Sequence, residues 1–319
     1  MLSEGSFEDI MAHEILGWVG FGVLIFALFY LDLGILHKKS KVMGAKESVL
    51  MYIFYLCVGL SFGLWIWYDM GPSKAAEYVT GYLVEMSLSL DNIFIISIIF
   101  KFLSIPAKYQ HRVLFWGIMG VIVMRGVLIG MGAMIVEEFA WILYIFALFL
   151  VFTGVKMLLI KGGEVDLKDN IILKYIRSHF PITEKIHGDK FYIKESGKWF
   201  FTPLFVALAM IEIIDLVFAV DSIPAIFSIT TDTYIVYTSN IFAIMGLRTL
   251  YFALASILNT FRYLKQALAL VLIFIGSKIY IADLLGLEKF PATISLSVTI
   301  GLLVGGILLS VLVKRRRWG

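Results

Sequence analysis

Two acidic clusters share one spacing. Glu85 precedes Asp91 and Asn92, and Asp215 precedes Asp221 and Ser222 with the same gap between the acids. Glu212 adds a further carboxylate just ahead of the second cluster. The donors on offer are carboxylates, an amide and a hydroxyl. An all-oxygen set suits a hard divalent cation, Mn²⁺, Mg²⁺ or Ca²⁺, better than Cu⁺ or Zn²⁺. Softer ligands are placed elsewhere. The five histidines, His13, His37, His111, His179 and His187, fall in loops or at the ends of apolar runs, and the single Cys57 lies within one.

Both clusters sit inside apolar runs, where a charged carboxylate costs ~2.5–3.5 kcal/mol on insertion scales. On a helix, Asn92 lies about 20° and Ser89 about 40° from Glu85, with Asp91 about 120° away at the edge of that face. Asp215, Ser222 and Asp221 repeat these offsets, Ala219 replaces the serine, and Glu212 lies about 60° from Asp215. Pro224 removes a backbone donor and predicts a kink or break just after the second cluster. Such a break frees the Val220 carbonyl, which at membrane depth is tolerated only in a cavity or inside protein. Four basic residues also lie in apolar runs: Arg125, Lys156, Arg248 and Lys278. They are candidate charge partners. One reading has them pair with the acids and lock the helices together. The other has the acids hold a cation, and five acids in two related runs favour it.

The whole chain matches that setting. Its 319 residues are 60% hydrophobic and 16% charged, against ~45–50% and ~25% in a soluble domain. The sequence predicts an all-α membrane protein with nine spans at 15–36, 49–68, 78–100, 113–136, 140–160, 202–227, 235–258, 266–284 and 291–313. One set of loops carries 21 of the 27 Lys and Arg, the opposite set carries only Lys74 and Lys289, and the last four are the in-span residues above. The positive-inside rule then places the N-terminus outside and the C-terminus in the cytoplasm. Basic residues in juxtamembrane loops answer to this rule and give no reason to expect nucleic acid as a partner. The acidic N-terminus, with Glu4, Glu8, Asp9 and Glu14, differs from a secretory signal and reads as part of a retained helix.

Five regions follow: two N-terminal spans (1–68), spans three to five (78–160), a cytoplasmic loop (161–201), spans six to eight (202–285), and the ninth span with a basic tail (291–319). In the loop, NIILKYIRSHF (170–180) has the pattern of an amphipathic interfacial helix. FYIKESGKWFF (191–201) predicts a β-hairpin turning at Glu195–Gly197.

Spans three to five repeat as spans six to eight. LDNIF aligns with VDSIP, GVIVMRGVLI (120–129) with AIMGLRTLYF (243–252), and LFLVFTGVKMLL (148–159) with LVLIFIGSKIYI (270–281). Arg125 falls on Arg248, Gly154 on Gly276 and Lys156 on Lys278. Three spans are an odd number, so the second copy is inverted. Such 3+3 repeats build secondary transporters with a midplane site between the copies.

EMSLSLDNIF (85–94), EIIDLVFAVDSIPAIF (212–227) and SNIFAIMGLRTLYF (239–252) resemble the TerC family, also called Alx/TerC, of integral membrane proteins. The likeness covers most of the chain and is closest to bacterial members described as redox modulators. It implies a cell inner-membrane location, a LysE-like exporter architecture and export of manganese. By motif position it marks Glu85, Asp91, Asn92, Asp215, Asp221 and Ser222 as the transport site. The leading expectation is therefore a divalent metal exporter, Mn²⁺ first, working by alternating access, with the bilayer as its other partner and no cofactor. The alternative is a membrane adaptor or redox and metal-stress factor that helps metalate exported proteins through the 161–201 loop. No enzyme activity is expected. An aspartyl protease dyad of Asp91 and Asp221 lacks the GxGD stretch that such sites carry.

Overall fold

The computed structural model describes residues 4–31, 45–159, 171–195, 197–254, 263–287 and 290–316. It divides into two units, Met1–Val42 and Met43–Gly319. The first holds α1 (Glu4–Tyr30), in which Trp18 and Phe21 meet edge to face.

The second unit is a helical bundle with one hairpin. Its helices are α2 (Ala45–Met70), α3 (Pro72–Phe102), α4 (Ala107–Glu138), α5 (Ile142–Leu159), α6 (Ile171–His179), α7 (Pro203–Phe227), α8 (Thr233–Met245), α9 (Leu247–Leu254), α10 (Leu264–Leu284) and α11 (Ala292–Arg316). Strands β1 (Tyr192–Glu195) and β2 (Lys198–Phe201) pair antiparallel, Lys194 facing Trp199. Proline opens α3 and α7, where its missing N–H is no loss. Gly71, at φ 89, makes the tight turn between α2 and α3, a conformation costly for other residues.

Among the described residues, six helices are long and apolar enough to cross a membrane: Lys46–Met70, Ala107–Glu138, Ile142–Leu159, Pro203–Phe227, Lys265–Leu284 and Ala292–Ser310. The outward faces of the second unit are apolar, with Leu64, Trp67, Val123, Leu148 and Phe152 exposed. That inversion of a soluble surface is what a lipid environment calls for.

Two breaks fall differently from the sequence expectation. Helix α7 continues through Pro224 and stops at Phe227, with the Ser228 N–H donating to the Pro224 carbonyl. A proline this close to a helix end removes one intrahelical bond, and its φ stays compatible with the last turn. The interruption instead comes in the expected seventh span, where α8 ends at Met245 and α9 begins at Leu247, one residue before Arg248. The loop helix also differs. Leu173 and Ile176 of α6 are buried in a cluster with Leu204 and Ala207 of α7. Its apolar face is thus covered by protein, leaving Lys174, Tyr175 and Arg177 outward.

The packing pairs are reciprocal. Helix α3 packs on α8 and α4 on α7, while α5 packs on α10 and α3 also meets α7. A Cβ on Gly154 of α5 would lie 2.6 Å from the Ala269 carbonyl oxygen and 2.7 Å from Ile273 of α10. A Cβ on Gly276 of α10 would meet the Ala147 carbonyl oxygen, closer still, and Val151 at 2.9 Å on α5. Backbone cannot give way as a side-chain tip can. Gly276→Ala and Gly154→Ala should each cost at least ~1–3 kcal/mol of stability by overpacking. Gly130→Ala, where nothing lies within 4 Å, is the silent control. Thermal unfolding in detergent checks this.

Candidate functional site

Helix α3 carries Glu85, Ser89 and Asn92 on one face, and all three are buried. Helix α7 brings Asp215 and Ser222, also buried, against them. Between the two acids lies the Arg125 guanidinium of α4, only 1% exposed. Its Nη1 donates to Glu85 Oε1 at 2.5 Å, to Ser222 Oγ at 3.1 Å and to Asn240 Oδ1 at 3.1 Å. Its Nε and Nη2 take the two Asp215 oxygens, each at 3.3 Å. Asn240 Nδ2 donates back to Glu85 Oε2 at 2.9 Å, and Asn92 Nδ2 donates to Asp215 Oδ1 at 3.1 Å. Four helices thus meet in one charge-assisted network, and the planar guanidinium fork suits such multiple donation.

The Arg125 guanidinium faces two carboxylates, and a second buried guanidinium, Arg248, lines the cavity beside Asp215. Ser89 Oγ and Asn92 Oδ1 are buried with no hydrogen-bond partner among the described residues. Buried polar atoms without partners are uncommon and call for an explanation. Beside Asn92 lies a cavity of about 30 Å³ lined by Asn92, Asp215 and Arg248 and walled by isoleucines of α3 and α7. That is room for about one water. Among the described residues no three His, Cys, Asp or Glu side chains converge as a metal cluster.

The other residues singled out by sequence are distributed as follows. The Asp91 and Asp221 side chains lie outside the described residues; their backbones sit in α3 and α7 next to Asn92 and Ser222. Glu212, half-buried, lies across α4 at Gly120, where any Cβ would meet its carboxyl group. Arg248 is buried and lines the cavity. Lys156 is exposed in the last turn of α5. Lys278 is buried in α10 and donates to Ser295 of α11 at 3.2 Å. Of the four basic residues, Arg125 contacts Glu85 and Asp215, and Arg248 stands beside Asp215.

Sequence reasoning missed Asn240. It lies in the quoted SNIFAIMGLR run, and a carboxamide within an apolar helix was the available signal. A second polar tie, near the start of α3, was also missed. Lys74 Nζ lies 2.6 Å from Asp232, which caps α8 through the Tyr234 and Ile235 N–H groups, and Thr230 donates to the buried Glu77 at 2.5 Å.

A family model described as integral membrane protein TerC family matches residues 70–318. An uncharacterized membrane protein of Rickettsia felis is 52% identical over 94% of this chain and 98% of its own length. One from Myxococcus xanthus is 43% identical over 93% and 92%. A protein of Escherichia coli strain K12, named provisionally as the membrane-bound redox modulator Alx, is 38% identical over 90% and 91%. No solved structure matches the chain at a significant level.

Proposed function

The chain belongs to the TerC family of integral membrane proteins, and from that premise we propose that it exports a divalent metal cation, Mn²⁺ first, through the centre between α3 and α7. One observation carries the proposal: Glu85 and Asp215, 2% and 5% exposed, converge from two helices, and two further buried oxygens on α3, Ser89 Oγ and Asn92 Oδ1, have no hydrogen-bond partner among the described residues. A buried amide oxygen and a buried serine hydroxyl without partners add desolvation cost with no return. A hard cation takes such oxygens as ligands. Mn²⁺ also tolerates the nitrogen-free, carboxylate-rich set better than Zn²⁺ or Cu⁺ does. Asp91, Asp221 and Glu212 complete the donor set in this reading.

The architecture in this reading has nine spans, α8 and α9 forming one discontinuous span. Helices α3–α5 and α7–α10 are two inverted copies. The reciprocal packing supports this: exchanging the copies turns the α3–α8 contact into α7–α4, and the Gly154–Ala269 contact into Gly276–Ala147. Rocking of one copy against the other exposes the centre to each side in turn. In this reading the C-terminus and the loading side are cytoplasmic, which the concentration of Lys and Arg in one set of loops supports.

The redox role in the relatives' name finds no dithiol here, since the chain has one cysteine and Cys57 is exposed on α2. The test uses cells lacking their own manganese exporter. After a Mn²⁺ challenge, cells expressing the protein should hold less manganese than cells with empty vector. Equal manganese in both would contradict the proposal.

A further inference from the structure

We propose that Arg125 is a tethered stand-in for the transported cation, and that loading the centre requires its guanidinium to leave. This rests on reading the centre as a transport site. The argument starts from occupancy. Five oxygens at the centre suit a hard cation, Glu85 Oε1, both Asp215 oxygens, Ser222 Oγ and Asn240 Oδ1, and each already accepts from Arg125. A guanidinium and a divalent cation cannot share these ligands. Their like charges repel most strongly where water is excluded.

The exit route is also restricted. The neighbouring cavity, about 30 Å³, holds about one water and not a guanidinium group. Val121, one helical turn before Arg125 on α4, is part of its wall. In this proposal Arg125 leaves by movement of α4 against α3 and α7. Ion binding and helix movement become one event. With no ion bound, the arginine offsets one of the two carboxylate charges and holds the bundle closed, which favours the return of the empty carrier.

The proposal gives Arg125→Ala an unusual signature. Removing the competitor should tighten Mn²⁺ binding by at least ~tenfold, because the wild type spends part of its affinity on expelling the arginine. Guanidinium chloride at low millimolar concentration should refill the vacated site and weaken Mn²⁺ binding to the variant only. Calorimetric titration in nanodiscs measures both. Saturating Mn²⁺ should also raise the melting temperature of the variant more than that of the wild type. If the wild type binds Mn²⁺ and the variant binds it equally or more weakly, Arg125 is a positioning residue and the proposal falls while the transport reading stands. If neither binds Mn²⁺, both fall. If Arg125→Ala stays unfolded with Mn²⁺ and with guanidinium present, the arginine is structural and the proposal is overturned.

Discussion

Glu85→Gln is expected to end divalent-ion export and to lower stability by about 3–5 kcal/mol, the usual cost of breaking a buried charge pair. The geometry explains why a near-isostere should do so much. Glu85 accepts at both oxygens, from Arg125 Nη1 and from Asn240 Nδ2. Glutamine offers one acceptor, so its NH₂ group must face one of these donors. Asp215→Asn meets the same conflict, since Asp215 accepts from Arg125 at both oxygens and from Asn92 at one. Thermal unfolding and manganese retention, measured on the same preparations, read the two effects. A cycle with Arg125→Ala should show strong coupling, the double variant losing less than the two single losses combined. An unchanged melting temperature for Glu85→Gln would show that the network does not form in the folded protein.

Asp91→Asn and Asp221→Asn should behave differently, ending export while the fold survives. Among the described residues, the ion pairs of Arg125 run to Glu85 and Asp215, so it keeps these two partners when either of the other acids is neutralised. Asn retains the size and much of the hydrogen bonding of Asp and removes only the charge. Without an ion, the protein sheds a negative charge from membrane depth, and stability should hold or rise. With an ion, a ligand is lost. Cells carrying either variant should accumulate manganese as vector cells do. Loss of folding would instead assign these acids to internal pairing, with Arg248 the first partner to examine.

Much of this centre could be read from spacing. The angles among Glu85, Ser89 and Asn92 placed them on one helix face, and the structure buries all three. The matched intervals around Asp215 pointed across 130 residues to the helix that meets α3. Arg125 was visible as a charge with no place in lipid. The choice among the four basic residues was not visible, because repeat alignment treats them alike. Packing separates them: Arg125 lies in the middle of α4 against the acids, and Lys156 stands exposed in the last turn of α5. Asn240 escaped because a neutral amide costs less in an apolar helix than a charge and so signals more weakly. Pro224 misled because sequence gives the lost donor but not the nearness of the helix end. The interruption at Gly246 left no comparable mark, since one glycine in an apolar run is more often close packing.

Ion flux into liposomes containing only this protein tests the central claim most directly. The panel would be Mn²⁺, Mg²⁺, Ca²⁺ and Zn²⁺, each with wild type and Glu85→Gln side by side, and with folding verified in the same membranes. The account predicts saturable Mn²⁺ flux through the wild type, strongest among the four ions, and none above empty liposomes through the variant. Folded wild-type protein that moves none of the four ions in either direction would contradict it.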